Sequence, residues 1–211
     1  GFDQPIENPS PREAFSFLIL NDIHFGRLDS GVYRAHEEFW TWLDQYQITA
    51  PLPIELALNL GDFTDDSQES QYIEYAAFVD ELESRLIPTH TVVGNHDVRN
   101  HGRSYFAKYV DPLSSSRFSH KGISFYLLDT GNRSLGKSQV DDLAEQTSTD
   151  ANLKLFCSHI PLYGGPGLFY FALPDFQERS SVLSTMVQSK AGLYLSGHHH
   201  AGDVAWRFSE V

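Results

Sequence analysis

Cysteine and methionine are nearly missing from this chain: one of each in 211 residues. A single Cys157 closes no internal disulfide, and its place in the apolar run 153–157 marks it as a buried thiol, which favours a reducing compartment. Long hydrophobic runs are absent as well. No stretch suffices to cross a bilayer and no leader pattern opens the chain, so no membrane span is expected and cytoplasmic residence is. The chain starts at Gly1 and its one methionine is Met186, so the natural N-terminus is expected to be processed or trimmed, which leaves export open. Basic charge is also scarce. Fifteen Lys and Arg stand against 28 Asp and Glu, a formal charge of −13 with no basic block, which excludes a polymeric nucleic acid as partner. The same balance repels any phosphorylated substrate unless bound cations reverse the local field.

What remains is enough for one core. With 41% hydrophobic residues and neither repeats nor low-complexity segments, the chain reads as a single domain. Residues 1–13 carry Pro5, Pro9 and Pro11 and form an extended tail; residues 14–211 form the domain. Apolar runs at Phe15 to Leu20, Glu55 to Leu60, Thr89 to Val93, Leu153 to Cys157 and Gly192 to Leu195 read as buried strands. Helices are expected over Val32 to Gln47, with Phe39, Leu43 and Tyr46 in phase, and over Ser67 to Leu86, with Tyr75, Val79, Leu82 and Leu86 in phase. A hairpin follows, Arg117 to Ser119 turning through His120-Lys121-Gly122 into Ile123 to Asp129. Ser138-x-x-Asp141 resembles a capping box that opens a short helix to about Glu145, Pro174 to Gln188 forms the last long helix, and the residues after His200 suffice for a closing strand. This order predicts a sandwich of two sheets with helices outside.

A polar cluster sits directly after each of the five apolar runs. The clusters are Asp22-x-His24, Gly61-Asp62-x-x-Asp65, Gly94-Asn95-His96-Asp97, His159, and Gly197-His198-x-His200. Side-by-side strands would bring all five out at one end, where open α/β sheets place their ligands. Carboxylate, imidazole and carboxamide without thiolate suit hard or borderline divalent ions. Asp62 has two oxygens and can bridge two ions, and Asn95 adds a neutral oxygen. Metals about 3.5 to 4 Å apart lower the pKa of a shared water and clamp phosphoryl oxygens. His96, next to a ligand, is expected to point across the site as the catalytic histidine, stabilising charge or protonating the leaving group, with Asp97 hydrogen-bonded to it as orienter.

Taken in order, the five blocks resemble the calcineurin-like metallophosphoesterase superfamily over residues 18–200, and within it most closely the bacterial class III cyclic-nucleotide phosphodiesterases. The resemblance implies a four-layer α/β/β/α sandwich of two mixed sheets. It also implies two divalent or mixed-valence ions (Mn, Fe or Zn), one held by Asp22, His24, Asp62 and His200, the other by Asp62, Asn95, His159 and His198. Purple acid phosphatases usually place a tyrosine where this chain has Asp65, so tyrosinate-to-iron colour is not expected.

The implied activity is hydrolysis of a small phosphodiester by metal-bound hydroxide, a cyclic nucleotide first. A phosphomonoester or a pyrophosphate-linked lipid precursor is the alternative, and a non-catalytic scaffold on the same fold comes behind both. The partner is then a small phosphorylated molecule, and a homodimer is compatible. His36, His90, His101 and His120 read as surface or core residues, His199 points away from the metals, and Asp65 is a supporting or helix-starting residue rather than a ligand. Arg99 and Arg103 follow closely enough to touch a phosphate. The glycine and aromatic loop Leu162 to Phe171 is either a packed surface or a wall of the substrate pocket.

Overall fold

Alternation along the strands divides the hydrophobic residues into three layers. In a computed structural model, which describes residues 13–27, 32–164 and 171–200, strand β1 (Ser16–Leu20) pairs in parallel with β2 (Ile54–Asn59), and β2 in parallel with β3 (Thr89–Thr91). The second sheet runs β4 (Ser116–His120), β5 (Ile123–Leu127), β6 (Leu153–Cys157), β7 (Leu193–Leu195), antiparallel at its first pair and parallel at the other two. Leu56 and Leu58 of β2 face Phe125, Leu127, Leu155 and Cys157 of the other sheet, forming the central layer. The opposite faces are covered by helices. Ala57 packs with Leu43 of α1 (Val32–Thr49) and with Tyr72, Tyr75 and Leu82 of α2 (Glu69–Ser84). On the far side, Tyr126 and Phe156 pack with Leu143 of α4 (Gly136–Thr149) and Val182 of α5 (Phe176–Ser189). The expected α/β/β/α order therefore holds, with one parallel sheet and one mixed sheet among the described residues.

Helix boundaries differ from the sequence reading in instructive ways. Leu86 is not on the apolar face of α2 but 85% exposed at φ 62°. The helix stops because Leu86 N–H bonds to Glu83 O and Ile87 N–H reaches back to Leu82 O, a left-handed C-terminal closure in which Ile87 takes the buried place. Ser138 does not cap α4. The helix starts earlier, and the Glu178 carboxylate of α5 accepts from Leu135 N, Gly136 N and the Ser134 hydroxyl, so the cap comes from a neighbouring helix. Asp175 does cap α5 locally, accepting from Glu178 N at 2.8 Å.

Helix α3 (Gly102–Tyr109) was not expected, although Phe106 sits on its core side with Tyr105 and Tyr109 beside it. No described helix is long and apolar enough to cross a membrane. The tail through residue 12, loop residues 165–170 with Phe169 and Tyr170, and the closing strand expected after His200 lie outside the described residues.

Candidate metal centre

The loop after β1 is zipped to the loop after β2: Asp22, His24 and Phe25 N–H groups donate to the carbonyls of Gly61, Asp62 and Phe63 at 3.0, 3.0 and 2.8 Å. This extension of the parallel ladder carries three motif side chains to one place. Gly94 closes in from β3 so tightly that a Cβ there would lie 2.3 Å from Asp62 N and Oδ1. Only glycine fits. Five of the polar motif residues, Asp22, His24, Asp62, His198 and His200, have φ between 50° and 71°, a conformation that costs non-glycine residues roughly 1–3 kcal/mol each and gathers at functional sites.

Two groups of donors result. In the first, Asp22, His24 and His200 have ligand atoms within 4.8 Å of one another; His200 Nε2 is 3.1 Å from Asp22 Oδ1 and 3.4 Å from His24 Nε2. In the second, Asp62, His159 and His198 meet the same limit, and Asn95 Oδ1 joins them 3.1 Å from His159 Nε2. The groups adjoin, because His198 N–H donates to the Asp22 carboxylate at 3.0 Å. All seven residues expected to bind metal are thus brought together. A third grouping, His24 with Asp65 and His96, overlaps the first through His24.

The donor chemistry fits a cation. His159 is fully buried and its Nδ1 donates to Leu60 O at 2.9 Å, which leaves Nε2 as the inward-facing nitrogen. That nitrogen has the acceptor oxygens Asp62 Oδ2 and Asn95 Oδ1 each at 3.1 Å. A proton or a metal ion between these acceptors stabilises such a cluster. Without metal the proton takes the place: burial lowers the His159 pKa, but the hydrogen bond and charge of Asp62 outweigh it and the net shift is upward. Burial likewise opposes ionisation of Asp62, yet the His159 bond and charge and the His96 N–H hold its pKa below the ordinary carboxylate value. Burial and the neighbouring His159 charge push His198 down to about 4, which keeps it a neutral donor. Burial lowers His24 as well.

His96 is held by other partners than the sequence suggested. Its Nδ1 donates to the Asp65 carbonyl at 2.5 Å, its Nε2 accepts from Arg99 Nη2 at 2.9 Å, and Nε2 stands 4.0 Å from Asp62 Oδ2. Asp97 does not orient it. The Asp97 carboxylate is fully buried on the other side of the turn, accepting from Asp62 N and Gly94 N on one oxygen and from Thr64 N and the Thr64 hydroxyl on the other, all at 2.8–2.9 Å. It ties the second and third loops together.

Asp65 is the joint that the sequence left as a supporting residue. Its carboxylate lies 3.3 Å from His24 Nδ1, and its carbonyl receives both His96 and Arg99. Ser67, whose hydroxyl donates to His96 O at 2.5 Å, had no sequence signal at all. The two arginines separate. Arg99 sits on His96, whereas Arg103 forms a two-pronged pair with Asp129 at 2.6 and 3.3 Å and is turned away from the donors. His199 packs edge-on against Phe171, 4.9 Å between centroids, and belongs to neither group; Phe171 also stands 5.7 Å from His198, so one end of the aromatic loop borders the second group.

A family model described as calcineurin-like phosphoesterase matches residues 15–202. Among solved structures, a purple acid phosphatase isolated from yellow lupin (Lupinus luteus) seeds is similar, with a TM-score of 0.56 and 13% identity over 88% of this chain. The chain covers 38% of the lupin chain, so that likeness concerns the fold. No curated protein sequence matches.

Proposed function

The chain belongs to the calcineurin-like phosphoesterase family, and we propose that it hydrolyses a small phosphodiester, with a cyclic nucleotide as the first-choice substrate, as in the class III phosphodiesterases it resembles. The observation that carries this reading is the pair of adjoining donor groups, Asp22-His24-His200 and Asp62-His159-His198, gathered at the ends of parallel strands. The first group with Asp62 would hold one ion, and the second with Asn95 the other. Carboxylate, imidazole and carboxamide donors suit manganese, iron or zinc. Such ions, when bound, polarise phosphoryl oxygens and lower the pKa of a shared water.

The protein's own groups do the rest. His96, held by the Asp65 carbonyl, presents its Nε2 toward the donor groups; with that nitrogen protonated in place of its bond from Arg99, it stabilises charge on the phosphoryl oxygens or passes the proton to the leaving alcohol. Arg99, bonded to that nitrogen, is placed to take a phosphate oxygen in exchange. Against a chain of formal charge −13, these cationic groups and two bound ions make the site locally attractive to an anion.

Elemental analysis of the purified protein together with turnover assays in manganese tests this reading, using cyclic nucleotides, aryl phosphodiesters, aryl phosphomonoesters and nucleoside diphosphate conjugates. Two ions per chain and the highest kcat/KM on a diester are expected. Asp62→Ala should lose both ions and turnover. A single ion, or turnover confined to monoesters or pyrophosphates, would refute the dinuclear centre or the diester preference respectively.

A further inference from the structure

The imidazole of His24 is buried, and its two nitrogens meet different surroundings. Nε2 is turned to His200 Nε2 at 3.4 Å inside the first donor group, whereas Nδ1 is buried on the other side of the ring without an aligned hydrogen bond. Burial lowers the pKa of His24, so the ring is neutral and carries one hydrogen. With Nε2 as the nitrogen that faces an ion, that hydrogen sits on Nδ1. A buried N–H needs an acceptor. The carboxylate beside it is that of Asp65, whose Oδ1 lies 3.3 Å from Nδ1.

The backbone brings the two side chains together. Asp65 N–H donates to Phe25 O at 3.1 Å and Phe25 bridges to Thr64, so the residue after His24 is stitched to the loop that bears Asp65. The same carboxylate stands 3.9 Å from His96 Nδ1, but that nitrogen already donates to the Asp65 carbonyl at 2.5 Å. The backbone of Asp65 thus serves His96. Its side chain is left for His24, and a half-exposed carboxylate can rotate about its own Cβ–Cγ bond to line up with Nδ1–H. A carboxylate on the outer nitrogen fixes the tautomer of a metal-ligating histidine and makes its inner nitrogen a better ligand.

We propose that Asp65 is a positioning residue for the first ion: its carboxylate takes the Nδ1 hydrogen of His24 and so holds Nε2 as the ligand nitrogen beside Asp22 and His200. The assignment rests on the dinuclear phosphoesterase reading and deepens it. Its test is calorimetric titration of the metal-free protein with zinc against a competing chelator, a measurement independent of turnover. The binding step that His200→Ala abolishes belongs to the first ion, and the step that His198→Ala abolishes belongs to the second. Asp65→Ala should weaken the first step by about 10- to 100-fold and leave the second unchanged. Asp65→Asn, whose amide oxygen can still accept from Nδ1, should show a smaller loss confined to the same step, and it serves as the test where the alanine variant fails to fold. Unchanged steps in both variants would overturn the assignment, and a fall in kcat alongside them would make His96 the partner of the carboxylate. Equal weakening of both steps would overturn it too. So would a third equivalent of zinc that Asp65→Ala loses, since His24, Asp65 and His96 would then be a metal site of their own. Wild-type protein that takes up no zinc would overturn the metal centre itself, an outcome distinct from uptake that ignores Asp65.

Discussion

Replacing Asp97 by asparagine should damage the scaffold rather than the chemistry. The carboxylate receives four donors, two on each oxygen, and three of them are backbone N–H groups from Asp62, Thr64 and Gly94. An amide offers one acceptor oxygen and, on its nitrogen, only N–H donors. Its better orientation turns the NH2 toward Thr64, whose hydroxyl can rotate to accept, and leaves Thr64 N–H buried without a partner, a loss of about 1–3 kcal/mol. The removed charge offsets some of this, because burial and the nearby Asp62 push the Asp97 carboxyl up to about 7. The arrangement of donors decides the outcome, since even a neutral amide cannot serve all four.

A loss of about 1–3 kcal/mol lowers the melting temperature by about 2 to 12 °C in a domain of this size. Thermal unfolding of the metal-free protein measures it directly, and metal titration should show weaker binding at both ions, because the loops bearing Asp62 and Asn95 lose their tie. Asp97→Ala, which leaves all four donors unsatisfied, should lose more. Unchanged melting and full metal content combined with a collapse in kcat would refute this account and restore Asp97 as the orienter of His96.

His96→Ala should keep both metal ions yet lose roughly 10²- to 10⁴-fold in kcat, with substrates of acidic leaving group least affected if the defect is in leaving-group protonation; loss of metal would make His96 a ligand. Glu178→Ala strips the start of α4 of its cap and should lower stability by about 1–2 kcal/mol, seen in denaturant unfolding, with metal content intact. In the metal-free protein His198 stays neutral down to about 4 when folded but takes a proton near 6.5 when unfolded, so its contribution to stability falls as pH drops from 6.5 to 4. Comparing the melting of wild type and His198→Gln across that window checks the sign: the difference should move in the variant's favour at low pH, and a constant difference would contradict it.

The strands and the polar clusters behind them were legible because each depends on a few consecutive residues. Leu153 to Cys157 is apolar but for Lys154, ends abruptly and is followed two residues later by His159, and the strand and the buried histidine lie there. What escaped reading depends on groups far apart in sequence. Glu178 caps a helix more than forty positions upstream of its own chain position, so a local search finds Ser138 instead. Asp97 follows His96, and adjacency suggested a bond between them; the backbone turn sends the two side chains to opposite sides, one toward Asp65 and the other toward Thr64.

The left-handed backbone at Asp22, His24, Asp62, His198 and His200 belongs to the same class of surprise. No intrinsic preference of histidine or aspartate puts five such residues in one place. The surrounding ladder and the glycine contacts impose the conformation, and it is tolerated where the side chains must converge. Local rules thus fail at the residues that meet in the site, which is where a sequence selected for chemistry departs from one selected for folding alone.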